Sequence, residues 1–139
     1  MGKSILVLHS HLPLVRHPEY ETFLEERWLF EALSETYLPL LRMMRRLEDE
    51  GIPFPMAMSF SPTLSFMLQD EFLLGRYDQF LEKAIELAER EVDRTSGDQD
   101  LHALALMYHG RYTTDRDELH NVYNGNVLLV SSASPGGAP

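Results

Sequence analysis

The sequence predicts an α/β fold, two short strands each followed by helices, and three observations carry that prediction. Four aliphatic residues, Ile5 to Leu8, run together ahead of His9. A run of that kind is expected to be buried on both faces, as a central parallel strand covered by helices. A second stretch alternates, with Met56, Met58 and Phe60 on one side and Ala57, Ser59 and Ser61 on the other, which is strand periodicity. Between and beyond these stretches the apolar residues recur every three or four positions, so helix is expected to outweigh strand.

Composition narrows the function without naming it. A chain of 139 residues, 44% of them apolar, is long enough for one ordinary domain. Its formal charge is 12 − 22 = −10, and no run of Lys or Arg offers phosphates a surface, so no nucleic-acid partner is expected. There is no cysteine, which excludes disulfides and thiolate metal sites. The apolar run near the amino end is too short for a signal segment or a bilayer span. The expectation is a cytoplasmic protein with no membrane partner.

Along the chain, Pro18 and the mixed polarity of 17–23 read as a loop. From Glu26, the residues Leu29, Ala32, Leu33, Thr36 and Tyr37 form a helical stripe that Pro39 interrupts. Two helices are therefore expected to meet at Leu38-Pro39, with Pro39 in the first turn of the second. That helix packs Leu40, Leu41, Met44 and Leu47 and stops at Gly51, after three acids that should be solvated. Ser61-Pro62 is a helix start, a side-chain oxygen at the N-cap followed by proline at N1, with Leu64, Met67, Leu68 and Phe72 as its stripe. Gly75 is expected to separate this helix from a longer one carrying Tyr77, Phe80, Leu81, Ala84, Ile85, Ala88 and Val92. Ser96 to Asp98 closes that one. Asp100 is the expected cap of a last helix with Leu101, Leu104, Ala105, Tyr108 and Tyr112 facing inward. Tyr123 to Asn126 is turn chemistry. Val127 to Val130 offers a third short strand, and 131–139, all Ser, Ala, Gly and Pro, is expected to be a disordered tail.

Chemistry concentrates at the end of the first strand. His9 and His11 are two apart, so on a strand they point the same way, and the carboxyl ends of parallel strands are where ligands bind. A His-x-His pair alone is as compatible with structural hydrogen bonding as with a site. A metal-dependent hydrolase also uses such a pair, but its further ligands are not evident in the sequence. There is no Gly-rich phosphate loop and no Gly-x-Ser-x-Gly elbow. By spacing alone Trp28 is a core aromatic on its helix, and Ser59 and Ser61 are a small-residue face and a cap. His17, His102, His109 and His120 show no pairing logic.

Three segments together resemble a known family: His9-Ser-His-Leu-Pro-Leu-Val-Arg16, Glu25-Glu-Arg-Trp-Leu-Phe-Glu-Ala-Leu-Ser-Glu-Thr-Tyr-Leu-Pro-Leu-Leu41, and Met58-Ser-Phe-Ser-Pro-Thr-Leu64. In this order they are similar to the amino-terminal part of glycoside hydrolase family 57, and within it to the 1,4-α-glucan branching enzymes. The similarity runs from about Ser4 to Leu128. It implies the amino-terminal part of an incomplete (β/α)7 barrel with helical insertions over residues 1–130, and a chain several times shorter than the family's proteins. An amino-terminal fragment is expected.

Carried onto matching positions, the resemblance makes His9 and His11 substrate-binding residues at the cleavage subsite and Trp28 a sugar-stacking platform. No metal or cofactor is implied. The partner is an α-glucan such as amylose or a glycogen-like polysaccharide. The family's nucleophilic glutamate and acid/base aspartate match no segment of this chain, so no catalytic residue is assigned and the chain alone is expected to be inactive. A metal-dependent hydrolase and a non-catalytic carbohydrate-binding remnant are the alternatives. Apolar helix faces such as Leu40, Leu41, Met44 and Leu47, or Phe80, Leu81 and Ile85, are expected to be incompletely covered and to favour self-association.

Overall fold

The structure, a computed structural model, describes residues 4–127. It holds two compact units, Met1–Asp70 and Glu71–Pro139. The first contains β1 (Leu6–Ser10), α1 (Glu26–Ala32), a π-helical turn (Leu33–Tyr37), α2 (Leu38–Asp49), β2 (Met56–Phe60) and α3 (Pro62–Met67). The second contains α4 (Glu71–Arg94) and α5 (Gln99–Asn121). Among the described residues no helix is long and apolar enough to cross a membrane.

β1 and β2 pair in parallel, His9 opposite Ser59 and Leu8 opposite Met58, joined through α1 and α2 as a strand-helix-strand unit requires. The expected alternation of β2 is present: Met56, Met58 and Phe60 are half-buried, whereas Ala57 and Ser59 are exposed. On the inner side Phe60 meets the ring of Tyr37, at 6.3 Å between centroids.

The expected double-sided burial of β1 is not found. Ile5 and Val7 are 66% and 67% exposed, and Leu6 is exposed as well. The sheet formed by the described residues has two strands, so neither is central, and the Tyr37 contact covers one face. The aliphatic run is that of a strand meant to be covered twice, but these residues cover it once.

Around Pro39 the chain keeps its helical course. The expected junction falls at Leu38, where α1 passes through the π-helical turn into α2 and the Leu38 N–H bonds to the Leu33 carbonyl. Pro39 stands in the first turn of α2, as expected. Proline offers no N–H to the carbonyl four residues back and crowds it; widening the turn by one residue relieves both problems without breaking the helix. Leu29, Leu33, Tyr37 and Leu38 are buried along this stretch, while Thr36 of the expected stripe faces out. α2 ends at Gly51 in the left-handed region, φ +66°. There the Gly51 N–H bonds to the Glu48 carbonyl and the Ile52 N–H to the Leu47 carbonyl, a Schellman closure that glycine permits. Glu48, Asp49 and Glu50 are all exposed.

α3 starts as read, with Ser61 Oγ accepting from the Leu64 N–H at 3.3 Å. Replacing Ser61 by alanine is expected to cost about 1 kcal/mol, read as a lowered urea midpoint; a midpoint unchanged from wild type would show that the cap is not a source of stability. Leu64, Met67 and Leu68 are buried, but Phe72 already belongs to α4. The break falls at 68–70, and α4 runs through Gly75. A glycine inside a helix weakens it by only about 1 kcal/mol, less than the buried contacts of Leu73, Leu74 and Tyr77 on either side hold.

In the second unit, Tyr77, Leu81 and Ala88 of α4 are buried as the stripe predicts. The cap of α5 is Asp98, not Asp100. Asp98 is extended, and its Oδ1 accepts from the N–H groups of Asp100 and Leu101 at 3.2 and 3.1 Å. Ala105 is buried and Tyr108 and Tyr112 are half-buried, but Leu101 and Leu104 are exposed; the buried face continues through Asp115 and Leu119 instead. Apolar residues occur all round this helix, so its spacing does not select one face. The turn at Asn124-Gly125 has both residues at positive φ. Val127 is helical and buried rather than extended; residues 128–130 of the expected third strand, and the tail, lie outside the described residues.

The helix faces expected to be incompletely covered are only partly buried at Leu40, Leu41, Met44, Leu47, Phe80 and Ile85, whereas Leu81 is fully buried. The large exposed apolar side chains include those of β1 and Leu101, Leu104, Leu106 and Met107 of α5.

Candidate functional site

Unit one places the two histidines at the carboxyl end of β1. Both are exposed. Their rings lie nearly parallel, 6° apart in plane and 6.5 Å between centroids, as period-two strand geometry dictates. His9 Nδ1 is 2.7 Å from the hydroxyl of Ser59, its register partner on β2. Ser10, between the histidines, points the other way and is buried. There it hydrogen-bonds Tyr37, whose hydroxyl burial pushes up in pKa against the opposing effect of that bond.

The loop that follows is fastened to α3. The Ser61 N–H bonds to the Ser10 carbonyl at 2.9 Å, and the Thr63 hydroxyl donates to the Leu12 carbonyl at 3.0 Å. Further on, the Val15 N–H reaches Met67 Sδ at 3.5 Å, and Arg16 Nε donates to Asp70 at 3.0 Å. A His-x-His segment pinned at both its strand and its loop holds the backbone that carries the imidazoles in place, which lowers the cost of ordering it around a ligand.

Trp28 is on α1, half exposed at 50%, not in the core that helix spacing alone implies. Among the described residues no other ring lies against it. The structure brings His9 and His11 together and adds Ser59, which spacing identified only as part of a small-residue face. The signal that would have found it is register: the residue opposite His9 on a parallel neighbour. Neither strand carries an aspartate or glutamate. Among the described residues no group of three or more His, Asp or Glu side chains is arranged to hold a metal ion.

The other histidines do have partners. His17 Nδ1 donates to Glu19 at 2.9 Å and its ring packs on Phe23 at 3.8 Å. In unit two, all three histidines of α5 reach α4: His102 Nδ1 donates to the Val92 carbonyl at 3.0 Å, His109 comes within 3.5 Å of Glu89, and His120 Nε2 donates to Asp78 at 2.8 Å. Arg116 joins Asp78 at 2.8 Å and Glu82 at 3.3 Å. Burial raises the Asp78 carboxyl, but the bonds from Arg116 and His120 outweigh it and hold its pKa below the usual range. These are helix-to-helix ties, part of what fastens α5 to α4.

Comparison with known proteins bears on what the pair does. The profile of glycosyl hydrolase family 57 matches residues 5–128. The chain is 38% identical, over 127 residues, to 1,4-alpha-glucan branching enzyme TK1436 of Thermococcus kodakarensis; the match takes in 91% of this chain and 18% of the relative. Its fold agrees with the crystal structure of the novel alpha-amylase AmyC from Thermotoga maritima at TM-score 0.86 and 42% identity, over 94% of this chain and 25% of that one. It agrees also with the GH57-type branching enzyme from Pyrococcus horikoshii at TM-score 0.81 and 30% identity, over 91% and 23%. The chain thus spans a quarter or less of the length of these relatives. Its two parallel strands with their helices are the amino-terminal portion of the family's (β/α)7 barrel, and with the motifs, the profile and the fold in agreement the chain belongs to glycosyl hydrolase family 57.

Proposed function

We propose that this chain is the sugar-binding amino-terminal part of a 1,4-α-glucan branching enzyme, acting in the cytoplasm on amylose or a glycogen-like polysaccharide. The observation that carries the reading is the pair of parallel, exposed imidazoles on the uncovered face of the sheet, at the strand end where barrel enzymes bind ligands, in a chain 38% identical to a branching enzyme. His9 and His11 offer N–H groups to sugar hydroxyls and steady the charge that develops near the anomeric carbon. The half-exposed indole of Trp28 suits the apolar face of a glucose ring. The whole protein would cut an α-1,4 bond with retention, through a glycosyl-enzyme intermediate, and transfer the chain to a 6-hydroxyl. That needs two carboxyls roughly 5 to 5.5 Å apart, which the family supplies from segments that nothing in this chain matches.

A second reading, hydrolysis of the same α-glucan without transfer, is favoured by the 42% identity to a protein described as an alpha-amylase. A chimera decides between them, with residues 5–128 of this chain replacing the matching segment of the Thermococcus branching enzyme. New α-1,6 branches on amylose support the first reading, and reducing ends without branches support the second. A folded chimera with neither activity favours the carbohydrate-binding remnant. In an active chimera, His9→Ala is expected to lower turnover about 100-fold, with the melting temperature within about 2 °C of the parent because the exposed ring makes few core contacts. Parallel loss of melting temperature and activity would make His9 a structural residue.

A further inference from the structure

We propose that Ser59 is the positioning residue of the site: its hydroxyl donates to His9 Nδ1, so that His9 is held as the Nε2–H tautomer and presents a donor to an acceptor oxygen of the sugar. This rests on the α-glucan reading of the site and goes beyond it in assigning a residue and a hydrogen-bond polarity.

The argument begins with register. Ser59 is opposite His9 in the parallel ladder, on the same exposed face of the sheet, and its Oγ is 2.7 Å from Nδ1, the length of a well-formed hydrogen bond. A neutral imidazole has one donor nitrogen and one acceptor nitrogen, and the partner of one fixes the role of the other. Among the described residues His9 Nδ1 is the one hydrogen-bond partner of the Ser59 side chain. If Nδ1 carried the proton, the serine proton would be left to water; if Nδ1 accepts, the serine proton is used within the pair and the ring proton stands on Nε2. The second arrangement leaves Nε2–H as the donor available to a ligand.

Geometry supports a fixed rather than an adaptable ring. The His11 ring lies nearly parallel to that of His9, and the segment carrying both is tied down by the Ser10, Leu12 and Arg16 contacts to the start and end of α3. Ser59 itself is three residues ahead of the Pro62 that opens α3. A ligand approaching the pair therefore meets a donor whose tautomer and plane are set in advance, which is what the support of a ligand-binding histidine by a neighbouring hydrogen bond achieves elsewhere.

The test reads the tautomer in the 139-residue chain itself, by long-range proton–nitrogen NMR of the imidazoles at about pH 8.5, two units above the ordinary imidazole value. In the wild type, His9 is expected to show an unprotonated Nδ1 and a protonated Nε2. In Ser59→Ala the two nitrogen shifts should move toward each other as the tautomers mix, and Ser59→Thr, which keeps the hydroxyl, should restore them; the amide spectrum serves as the check on folding. Addition of maltohexaose should move the His9 Nε2–H signal more in wild type than in Ser59→Ala. Nitrogen shifts identical in wild type and Ser59→Ala, or a wild-type Nδ1–H tautomer, would overturn the proposal whatever the sugar does. Tautomer mixing in Ser59→Ala with no maltohexaose response in either protein would instead overturn the glucan reading and leave Ser59 as a determinant of the His9 tautomer alone.

Discussion

Incubated with amylose, the purified chain is expected to leave the iodine colour unchanged and to yield no new branch points after debranching and chain-length analysis. Retaining glycosyl transfer passes through two carboxyl groups on opposite sides of one anomeric carbon, and removing either leaves binding without turnover. The proposed site offers two imidazoles and a hydroxyl, with the Trp28 indole as the proposed platform. The strands that form it, Leu-Val-Leu-His-Ser and Met-Ala-Met-Ser-Phe, carry no acid. Asp70 is tied to Arg16 at 3.0 Å and Glu19 to His17 at 2.9 Å. Asp78, Glu82 and Glu89 serve the α4–α5 ties. Formation of α-1,6 branches by the chain alone would mean that a carboxyl pair has been overlooked. Binding of maltohexaose without turnover is the expected companion result.

Leu81→Ala is expected to destabilise the chain by about 3 kcal/mol. Its side chain has no exposed surface, and a helix hairpin cannot close readily over the space that three missing carbons leave. The control is Leu104→Ala on α5. The spacing of the sequence turns Leu104 inward, but the structure leaves it 48% exposed, and its truncation should stay within about 0.5 kcal/mol. Urea unfolding followed by far-UV circular dichroism measures both. Equal losses would mean that α5 presents to α4 the face that its sequence pattern, not its structure, describes.

What the sequence made legible was local. The Ser61-Pro62 start, the Gly51 stop and the turn at Asn124-Gly125 depend on a few adjacent residues, and each stands where it was read. The stripes of α1 and α4 were legible because their apolar residues fall on one side. Facts that depend on distant partners were not. Register placed Ser59 against His9 across an interval of 50 residues, and the α5 histidines acquired partners only because α4 returns beside them. Where several local signals competed, the strongest-looking one did not always win: Gly75 is a poor helix residue, but buried neighbours on both sides carry the helix through it. Asp98 took the cap from Asp100 because it, and not Asp100, is extended. The His-x-His pair was legible as a candidate from spacing, and the sugar-site reading comes only from what the resemblance implies. The loop-to-α3 bonds that hold its backbone are announced by no pattern in the sequence.

The two-stranded ribbon has a consequence for handling the protein. Among the described residues β1 is hydrogen-bonded to β2 on one side, so its other edge offers a row of backbone donors and acceptors beside Ile5, Leu6 and Val7, all exposed. A strand in that condition is a template, and whatever extended segment meets it first completes the row. Inside a barrel that segment is the neighbouring strand. In a concentrated solution of this chain the same strand of another molecule is expected to take that place, an association that light scattering would read as a particle size rising with concentration. A lysine at Val7 would put a charge in the middle of that template, with no effect on the alternation that aims His9 and His11, and would keep the chain dispersed.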